Sequence, residues 1–348
     1  MTLAPGDAGL ELDETEELVL VHDRATGLGA AVAVDDTTLG PAIGGVRWLL
    51  YPDEQAAITE ARRLARVMTL KSATAGIPSG GAKAVVFRPS PTTDPVARRA
   101  LMEAFGRVVK RLEGRYVPGL DMGTALADLE VMGTQAPGIC VMEPSEQTAV
   151  GVVAGIIAAA EVRWGRGIAG RSVLIQGAGH VGVGLATRLA SAGAAVLVAD
   201  VESARAKQLA SEVGGTVVEP DDVLTHPCDV FAPCAIGRLA DPVTVGAMRC
   251  EVIAGAANDV LSHRQAADAL AARGIDYVPD FLINSGGVIA IHARRAGWDV
   301  RQLDEAVAAI GTRVSQVLRE SLASGRTPLV IAEALASERL GHPVAVPR

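Results

Sequence analysis

Apolar residues recur along the first part of the chain in two patterns, short β-rich runs and longer stretches with helical spacing. The β-rich runs predict strands, and the first two predict neighbouring strands because only a short turn separates them. In the longer stretches apolar side chains recur three or four positions apart, which predicts helices. The predicted strands are residues 18–22, 29–34 and 83–87, and the predicted helices are residues 54–69, with Asp53 as N-cap, and 96–112.

From residue 171 the pattern changes to short, continuously apolar strands that alternate with helices. Such alternation predicts a doubly wound parallel sheet covered on both faces. The predicted strands are residues 171–177, 195–200, 230–234, 251–255 and 275–278. A last long helix, about residues 303–323, is expected to run back towards the first part of the chain.

Composition and charge narrow the class of protein. Of the 348 residues 49% are apolar and 21% charged, and the net charge is −8, which disfavours binding to nucleic acid or anionic membrane. The acidic N-terminus shows no signal peptide, so we expect a cytoplasmic protein. The apolar stretch 149–160 is too short to span a bilayer and predicts a buried helix. Four cysteines without CxxC spacing predict reduced, buried thiols and no metal site.

A glycine-rich turn lies between the apolar run 173–175 and a predicted helix. It reads Gly177-Ala178-Gly179-His180-Val181-Gly182, and the following strand ends at Asp200. This order is the fingerprint of a dinucleotide site, in which the helix N-terminus faces the pyrophosphate. A carboxylate at residue 200 would bind the ribose hydroxyls and repel a 2′-phosphate, so the sequence predicts NAD as the cofactor.

Two lysines and an aspartate lie near glycine-rich segments of the first part. The segments are residues 41–47 (PAIGGVR), 68–71 (MTLK), 78–83 (PSGGAK) and 119–124 (GLDMGT). Lys71 follows a predicted apolar helix and Lys83 opens a predicted apolar strand, which are unusual places for solvated lysines. A desolvated lysine can serve as a general base near neutral pH.

These segments resemble the glutamate/leucine/phenylalanine/valine dehydrogenase family, most closely its leucine, valine and phenylalanine branch and with features of phenylalanine dehydrogenases. Residues 229–237 (DVFAPCAIG), 254–258 (AGAAN) and 279–287 (PDFLINSGG) match as well. The resemblance implies an α/β protein of two domains with a cleft between them. Residues 1–137 would form the substrate-binding and oligomerisation domain, to which residues 325–348 return. Residues 138–324 would form the Rossmann-type NAD domain.

The resemblance also implies a role for each site residue. Lys83 would be the general base and Asp121 the proton shuttle, while Lys71, the backbone of Gly44 and Gly45, and Asn284 would bind the polar end of the substrate. The implied side-chain pocket consists of Ile43, Gly119, Val288 and Ile291. The residues implied to line the cofactor, besides the glycine-rich turn, are Thr148, Cys234, Ala235 and Asn258.

The implied reaction is the reversible, NAD-dependent oxidative deamination of an apolar L-amino acid such as Phe, Leu or Val, giving the 2-oxo acid and ammonia. Ile43 stands where glutamate dehydrogenases carry a lysine, which argues against a glutamate substrate, because an unpaired buried carboxylate is costly. Ser79, Ala82, Asp259 and residues 134–145 depart from the usual pattern. Two alternatives stay open: an NAD enzyme for an unusual amine or imino acid, and a non-catalytic NAD-binding regulator. We expect a homo-oligomer, with a dimer favoured.

Overall fold

The computed structural model describes residues 15–235 and 237–344. The chain forms two compact units: residues 15–69 with 80–139, and residues 70–79 with 140–344. The predicted outer limits of the domains, residues 1 and 348, lie outside the described residues.

The first unit is built on a mixed five-stranded sheet. Its elements are β1 (Glu17–Asp23), β2 (Leu28–Asp36), β3 (Ala42–Trp48), α1 (Glu54–Ala75), β4 (Gly80–Arg88), α2 (Pro95–Arg111), β5 (Tyr116–Leu120) and α3 (Leu126–Gly133). The strand order is β1-β2-β4-β3-β5, with β4, β3 and β5 parallel and β1 and β2 antiparallel to their neighbours. The carboxyl ends of β3 and β5 therefore meet at one edge of this sheet.

Helix α1 covers the sheet and extends further than its predicted end at residue 69. Ala57, Ile58, Ala61 and Ala65 pack against β2 and β4 in one apolar cluster. Asp53 is the N-cap as predicted, since its Oδ1 accepts a hydrogen bond of 2.8 Å from the N–H of Ala56. The helix continues to Ala75, so Lys71 lies within it rather than after it.

The second unit is built on a six-stranded parallel sheet. Its strands are β6 (Ser172–Gln176), β7 (Ala195–Ala199), β8 (Thr216–Val217), β9 (Val230–Pro233), β10 (Val252–Ile253) and β11 (Asp276–Tyr277). Its helices are α4 (Ser145–Trp164), α5 (His180–Ser191), α6 (Ser203–Val213), α7 (Thr244–Ala247), α8 (Ala266–Ala272), α9 (Asp280–Ile283), α10 (Gly286–Ala296), α11 (Val300–Ser324) and α12 (Pro328–Leu340). The strand order β8-β7-β6-β9-β10-β11 reverses between β6 and β9, which is the doubly wound arrangement of dinucleotide-binding folds.

Helix α4 is the central helix of this unit. The apolar stretch 149–160 belongs to a longer helix of 20 residues, whose length and composition would allow it to cross a membrane. The expectation that this stretch is too short to span a bilayer was therefore wrong. Half of the most apolar window of α4 is nevertheless buried in the protein, where it packs against α11, α5 and α10. Gly155 permits the close packing, because a Cβ there would lie 2.5 Å from Ile283. The prediction of a buried helix is confirmed by this packing rather than by length.

The last two helices belong to the second unit. Helix α11 buries one stripe, which includes Val307, Ile310 and Val314, and it packs on α4. Helix α12 packs on α11 and β11. These contacts lie within the second unit, so the predictions that residues 303–323 run towards the first domain and that residues 325–348 return to it stay predictions. Within the second unit the apolar stripe of α11 packs on α4.

Candidate active site

The glycine-rich turn of the second unit joins β6 to α5. Gly177 has φ +105°, a conformation that favours glycine, and a Cβ on Gly182 would lie 1.9 Å from the carbonyl oxygen of Gly177. A Cβ on Gly179 would meet no atom within 4 Å. Two of the three glycines are thus required by the turn and its packing, while Gly179 leaves open space at the N-terminus of α5.

Asp200 at the end of β7 holds this turn. Its Oδ2 accepts a hydrogen bond of 2.7 Å from the N–H of Ala178, and its Oδ1 accepts one of 2.8 Å from Glu202. A cavity of about 510 Å³ adjoins the turn, and it is lined by Ala178, Gly179, His180, Val183 and Arg205. The open glycine, the helix N-terminus and the adjacent carboxylate fit the pyrophosphate and ribose of a dinucleotide. Val181 is half-buried and is not among the residues that line the cavity.

Three other predicted cofactor residues follow the ends of β9 and β10. A Cβ on Gly177 would lie 2.9 Å from the Cβ of Ala235, and the N–H of Cys234 donates to Gln176. The carbonyl oxygen of Asn258 lies 2.0 Å from the position of a Cβ on Gly237. These residues therefore gather at the carboxyl edge of the sheet, beside the glycine-rich turn.

Thr148, the remaining cofactor residue, lies in the first turn of α4. Its Oγ1 is 3.1 Å from the position of a Cβ on Gly287, which places it beside the start of α10. Asn284 lies two residues before the start of this helix.

Lys71 is connected to two asparagines of the second unit. Its Nζ donates a hydrogen bond of 2.9 Å to Asn258 Oδ1, which also accepts one of 2.9 Å from Asn284 Nδ2. Asn284 Nδ2 donates in addition to the carbonyl of Ala256 at 3.1 Å. The Oδ1 of Asn284 is buried and has no hydrogen-bond partner among the described residues. A buried acceptor of this kind suits a donor that a ligand brings, such as an amino group.

Lys83 in β4 and Asp121, just after β5, form an ion pair in the first unit. Arg47 in β3 binds the same carboxylate, with Nε 3.1 Å from Oδ2 and Nη2 3.4 Å from Oδ1. Arg47 also donates to Glu60 of α1 at 2.8 Å. The four charged side chains, Lys83, Asp121, Arg47 and Glu60, form what we call the Lys83 cluster. Arg47 and Glu60 were not predicted as site residues.

Burial and charge set the protonation of the Lys83 cluster. Burial lowers the pKa of Lys83, Asp121 opposes this effect, and the positive charge of Arg47 adds to it. The pKa of Asp121 lies well below its usual range, because Lys83 and Arg47 outweigh its burial. The cluster therefore combines a lysine that gives up its proton more readily than usual with a carboxylate that stays ionised.

The predicted residues on β3 and β5 lie next to one another in the sheet. Ile43 is 1% exposed and pairs with Val117, while Gly45 pairs with Gly119. A Cβ on Gly44 would lie 1.6 Å from the carbonyl oxygen of Ala82, and one on Gly45 would lie 2.7 Å from that of Leu120. Close packing of the strands therefore explains both glycines without a ligand.

Helix α10 carries Val288 and Ile291, both buried. His292 follows four positions after Val288, on the same side of the helix. Its Nδ1 lies 3.1 Å from the Oγ of Ser79, and its ring contacts Trp298 edge-on at 5.1 Å. Burial lowers the pKa of His292, which favours the neutral imidazole. Ser79, which departs from the family's usual pattern, thus forms a polar pair with His292.

Comparison with known proteins shows the same family in both units. The model of the Glu/Leu/Phe/Val dehydrogenase dimerisation domain matches residues 17–137, and that of Glutamate/Leucine/Phenylalanine/Valine dehydrogenase matches residues 198–337. Leucine dehydrogenase of Bacillus subtilis (strain 168) is 35% identical over 340 residues, which cover 95% of this chain and 93% of that protein.

The chain belongs to the glutamate/leucine/phenylalanine/valine dehydrogenase family.

Valine dehydrogenase of Streptomyces albus is also 35% identical, over 339 residues that cover 94% of this chain and 92% of that protein. The crystal structure of L-tryptophan dehydrogenase from Nostoc punctiforme matches with a TM-score of 0.82 and 34% identity, covering 94% of this chain and 96% of that one. The two-domain α/β architecture of the family is confirmed, and the protein is an amino-acid dehydrogenase close to the leucine and valine branch.

Proposed function

We propose that this dehydrogenase catalyses the NAD-dependent, reversible oxidative deamination of an apolar L-amino acid to the 2-oxo acid and ammonia. The observation that carries the proposal is the Lys83 cluster, a buried lysine of lowered pKa paired with an ionised carboxylate. Deamination requires a base for the attacking water and a proton shuttle for the departing nitrogen. Lys83 is assigned the first task and Asp121 the second.

The substrate's polar end is assigned to Lys71 and Asn284. Lys71 has Asn258 as a hydrogen-bond partner, and an ammonium in this setting can bind the substrate carboxylate. The unpartnered Oδ1 of Asn284 suits the substrate amino group as a donor.

NAD is assigned to the glycine-rich turn and Asp200. Bound NAD would accept the hydride from the substrate α-carbon. Gly179 and the N-terminus of α5 would bind the pyrophosphate, and Asp200 would bind the adenosine ribose. Asp200 already accepts a hydrogen bond from Ala178, so its carboxylate is oriented at the edge of the cavity.

The relatives support an apolar substrate without choosing one. Leucine, valine and tryptophan dehydrogenases resemble this chain to nearly the same degree. Ile43, which is 1% exposed, offers no charge to a side-chain carboxylate, so glutamate is excluded from the proposal. Gly119 favours a large side chain such as that of phenylalanine, because it removes bulk from β5.

A second candidate function is the oxidation of an amine or imino acid with a polar side chain on the same scaffold. The Ser79–His292 pair favours it, because both side chains can hydrogen-bond and His292 lies in α10, the helix that carries the implied pocket residues Val288 and Ile291. We further propose that the protein is cytoplasmic and forms a homo-oligomer. The match of residues 17–137 to the family's dimerisation domain supports the oligomer.

The test is a substrate panel read by NADH absorbance, with NADP as the competing cofactor. We expect turnover of Leu, Val, Phe or Trp and none of Glu. Lys83→Ala should lower kcat by about 10²–10⁴-fold while NAD binding is retained. Lys110→Ala, at an exposed lysine of α2, is the matched control and should behave as wild type. Activity confined to N-alkyl or polar substrates would favour the second candidate, and NAD binding without turnover of any amino acid would contradict both.

A further inference from the structure

Two arginines from different helices converge on Gly76, the residue that follows α1. Gly76 has φ +79°. A Cβ built on it would lie 2.4 Å from Nη2 of Arg313 in α11 and 3.0 Å from Nη1 of Arg339 in α12. Both guanidinium groups therefore lie against the same stretch of backbone.

Neither arginine has a negatively charged partner within the described residues. Nη1 of Arg313 is buried and has no hydrogen-bond partner there. Burial lowers the pKa of both groups, and the charge of Arg339 lowers that of Arg313 further, whereas a neighbouring carboxylate would raise it.

Three partly buried arginines of the second unit show the usual pairing with a carboxylate. Arg163 pairs with Glu251, Arg171 with Asp229 and Arg264 with Glu333. A partly buried guanidinium without such a partner is costly, because its hydration is lost and no charge replaces it. The like charge of Arg339 adds to this cost at Arg313.

The C-terminus of α1 offers only a partial explanation. Helix C-termini attract cations through their unpaired carbonyls. Within the described chain, however, Arg313 donates no hydrogen bond to these carbonyls, and its Nη1 has no acceptor at all. The arrangement therefore lacks an anion rather than a helix cap.

We propose that Arg313, Arg339 and the turn at Gly76 form a binding site for a phosphate group, outside the dehydrogenase site. A phosphate dianion balances two guanidinium charges, and the planar fork of arginine matches its oxygens. Arg339 is exposed, which gives the ligand a route from solvent, while Arg313 is the more buried of the two. Free phosphate and a phosphate ester share this chemistry.

The experiment titrates inorganic phosphate into the full-length protein at constant ionic strength, with chloride as the replaced anion. Calorimetry should show saturable binding in wild type that is weakened about tenfold or more in Arg313→Gln and Arg339→Gln, since charge-assisted hydrogen bonds are lost. Arg319→Gln, on the same helix, is the matched control and should bind as wild type. Phosphate bound at the glycine-rich turn is common to all variants, so their difference isolates this site. Competition by a phosphate ester would identify the ester as a second source.

Thermal unfolding separates a ligand site from a structural one. In chloride alone Arg313→Gln should unfold at the same temperature as wild type or higher, because a charge without a partner is removed. Phosphate should raise the unfolding temperature of wild type more than that of the variant. Equal phosphate affinity in wild type and both variants would overturn the proposal. The proposal would also be overturned if Arg313→Gln lost the same amount of stability in chloride and in phosphate. A third contradicting result is that acetate raises the unfolding temperature of wild type as much as phosphate does. If Arg313→Gln does not fold, the exposed Arg339→Gln variant decides the matter by its phosphate affinity.

Discussion

Arg47 offers the sharpest test of the Lys83 cluster, because its charge acts on Lys83 without direct contact. Arg47 and Lys83 bind the same oxygen of Asp121. Replacing Arg47 by glutamine removes a positive charge that lowers the pKa of Lys83. If Lys83 is the base, kcat/KM for deamination rises with pH as Lys83 loses its proton. The substitution should therefore move this acidic limb of the profile to higher pH.

The size of the movement follows from the separation of the charges. Two cations that share one oxygen lie on the order of 5 Å apart, so with an effective dielectric constant of about 20 they repel each other by about 3 kcal/mol, or about two pH units. Glu60 binds Arg47 at 2.8 Å and Asp121 binds it at 3.1 Å, which offsets part of that charge. We expect a movement of about one pH unit, since the neighbouring carboxylates reduce the effect by roughly half.

The assay is the pH dependence of kcat/KM for oxidative deamination in four variants. Arg47→Lys keeps the charge and should retain the wild-type limb with a lower plateau, because the two-pronged contact with Asp121 is lost. Glu60→Gln should move the limb the opposite way, to lower pH, since Glu60 raises the pKa of Lys83. Arg63→Gln is the control, because Arg63 binds Oε2 of Glu60 whereas Arg47 binds Oε1. A limb that stays in place in both Arg47→Gln and Glu60→Gln would refute the assignment of Lys83 as the base.

Three further predictions address the cofactor, the strands and the substrate. Asp200→Ala should weaken NAD binding and narrow the preference for NAD over NADP, because both the ribose acceptor and the hydrogen bond to Ala178 are lost. The measurement is the KM for NAD and the KM for NADP, and an unchanged ratio of the two would contradict the ribose contact. Gly44→Ala should cost about 3 kcal/mol or more of stability in denaturant unfolding, since its Cβ would lie 1.6 Å from a carbonyl oxygen, whereas Gly179→Ala should stay within about 0.5 kcal/mol. His292→Leu should raise kcat/KM for leucine about tenfold relative to polar substrates, and an unchanged profile across the panel would place the Ser79–His292 pair outside the substrate pocket.

The spacing of apolar residues predicted many of the helices and strands, and the elements that it missed have physical causes. In the second unit each run predicted as a strand contains one, whereas the two-residue strand β8 was not predicted because it offers no apolar run. Strand β3 was not predicted because Gly44 and Gly45 interrupt its pattern, although close approach of the neighbouring strands requires them. The packing of α11 on α4 was not predicted, because an apolar stripe does not identify the helix it packs against.

The site was predicted in part, because resemblance identifies motifs but not contacts. The pairing of Lys83 with Asp121 follows from residues that the sequence had singled out. Arg47 was present in the segment PAIGGVR, but only the sheet shows that it lies beside Asp121. Glu60 and His292 lay on helices without a motif, so no signal in a single sequence distinguished them from surface charges. The link from Lys71 to Asn258 joins residues 187 positions apart, which no local pattern can reveal.

The four cysteines are buried or half-buried, which decides how they react with oxidants. All four are free thiols, and burial raises the pKa of Cys228 and Cys234 to about 12 and that of Cys250 to about 11. Burial also raises the pKa of Cys140. Because peroxide and alkylating reagents attack the thiolate, hardly any reactive sulfur is present at neutral pH. The enzyme should keep its activity without added reductant, and modification of these thiols would report opening of the fold rather than the state of the folded site.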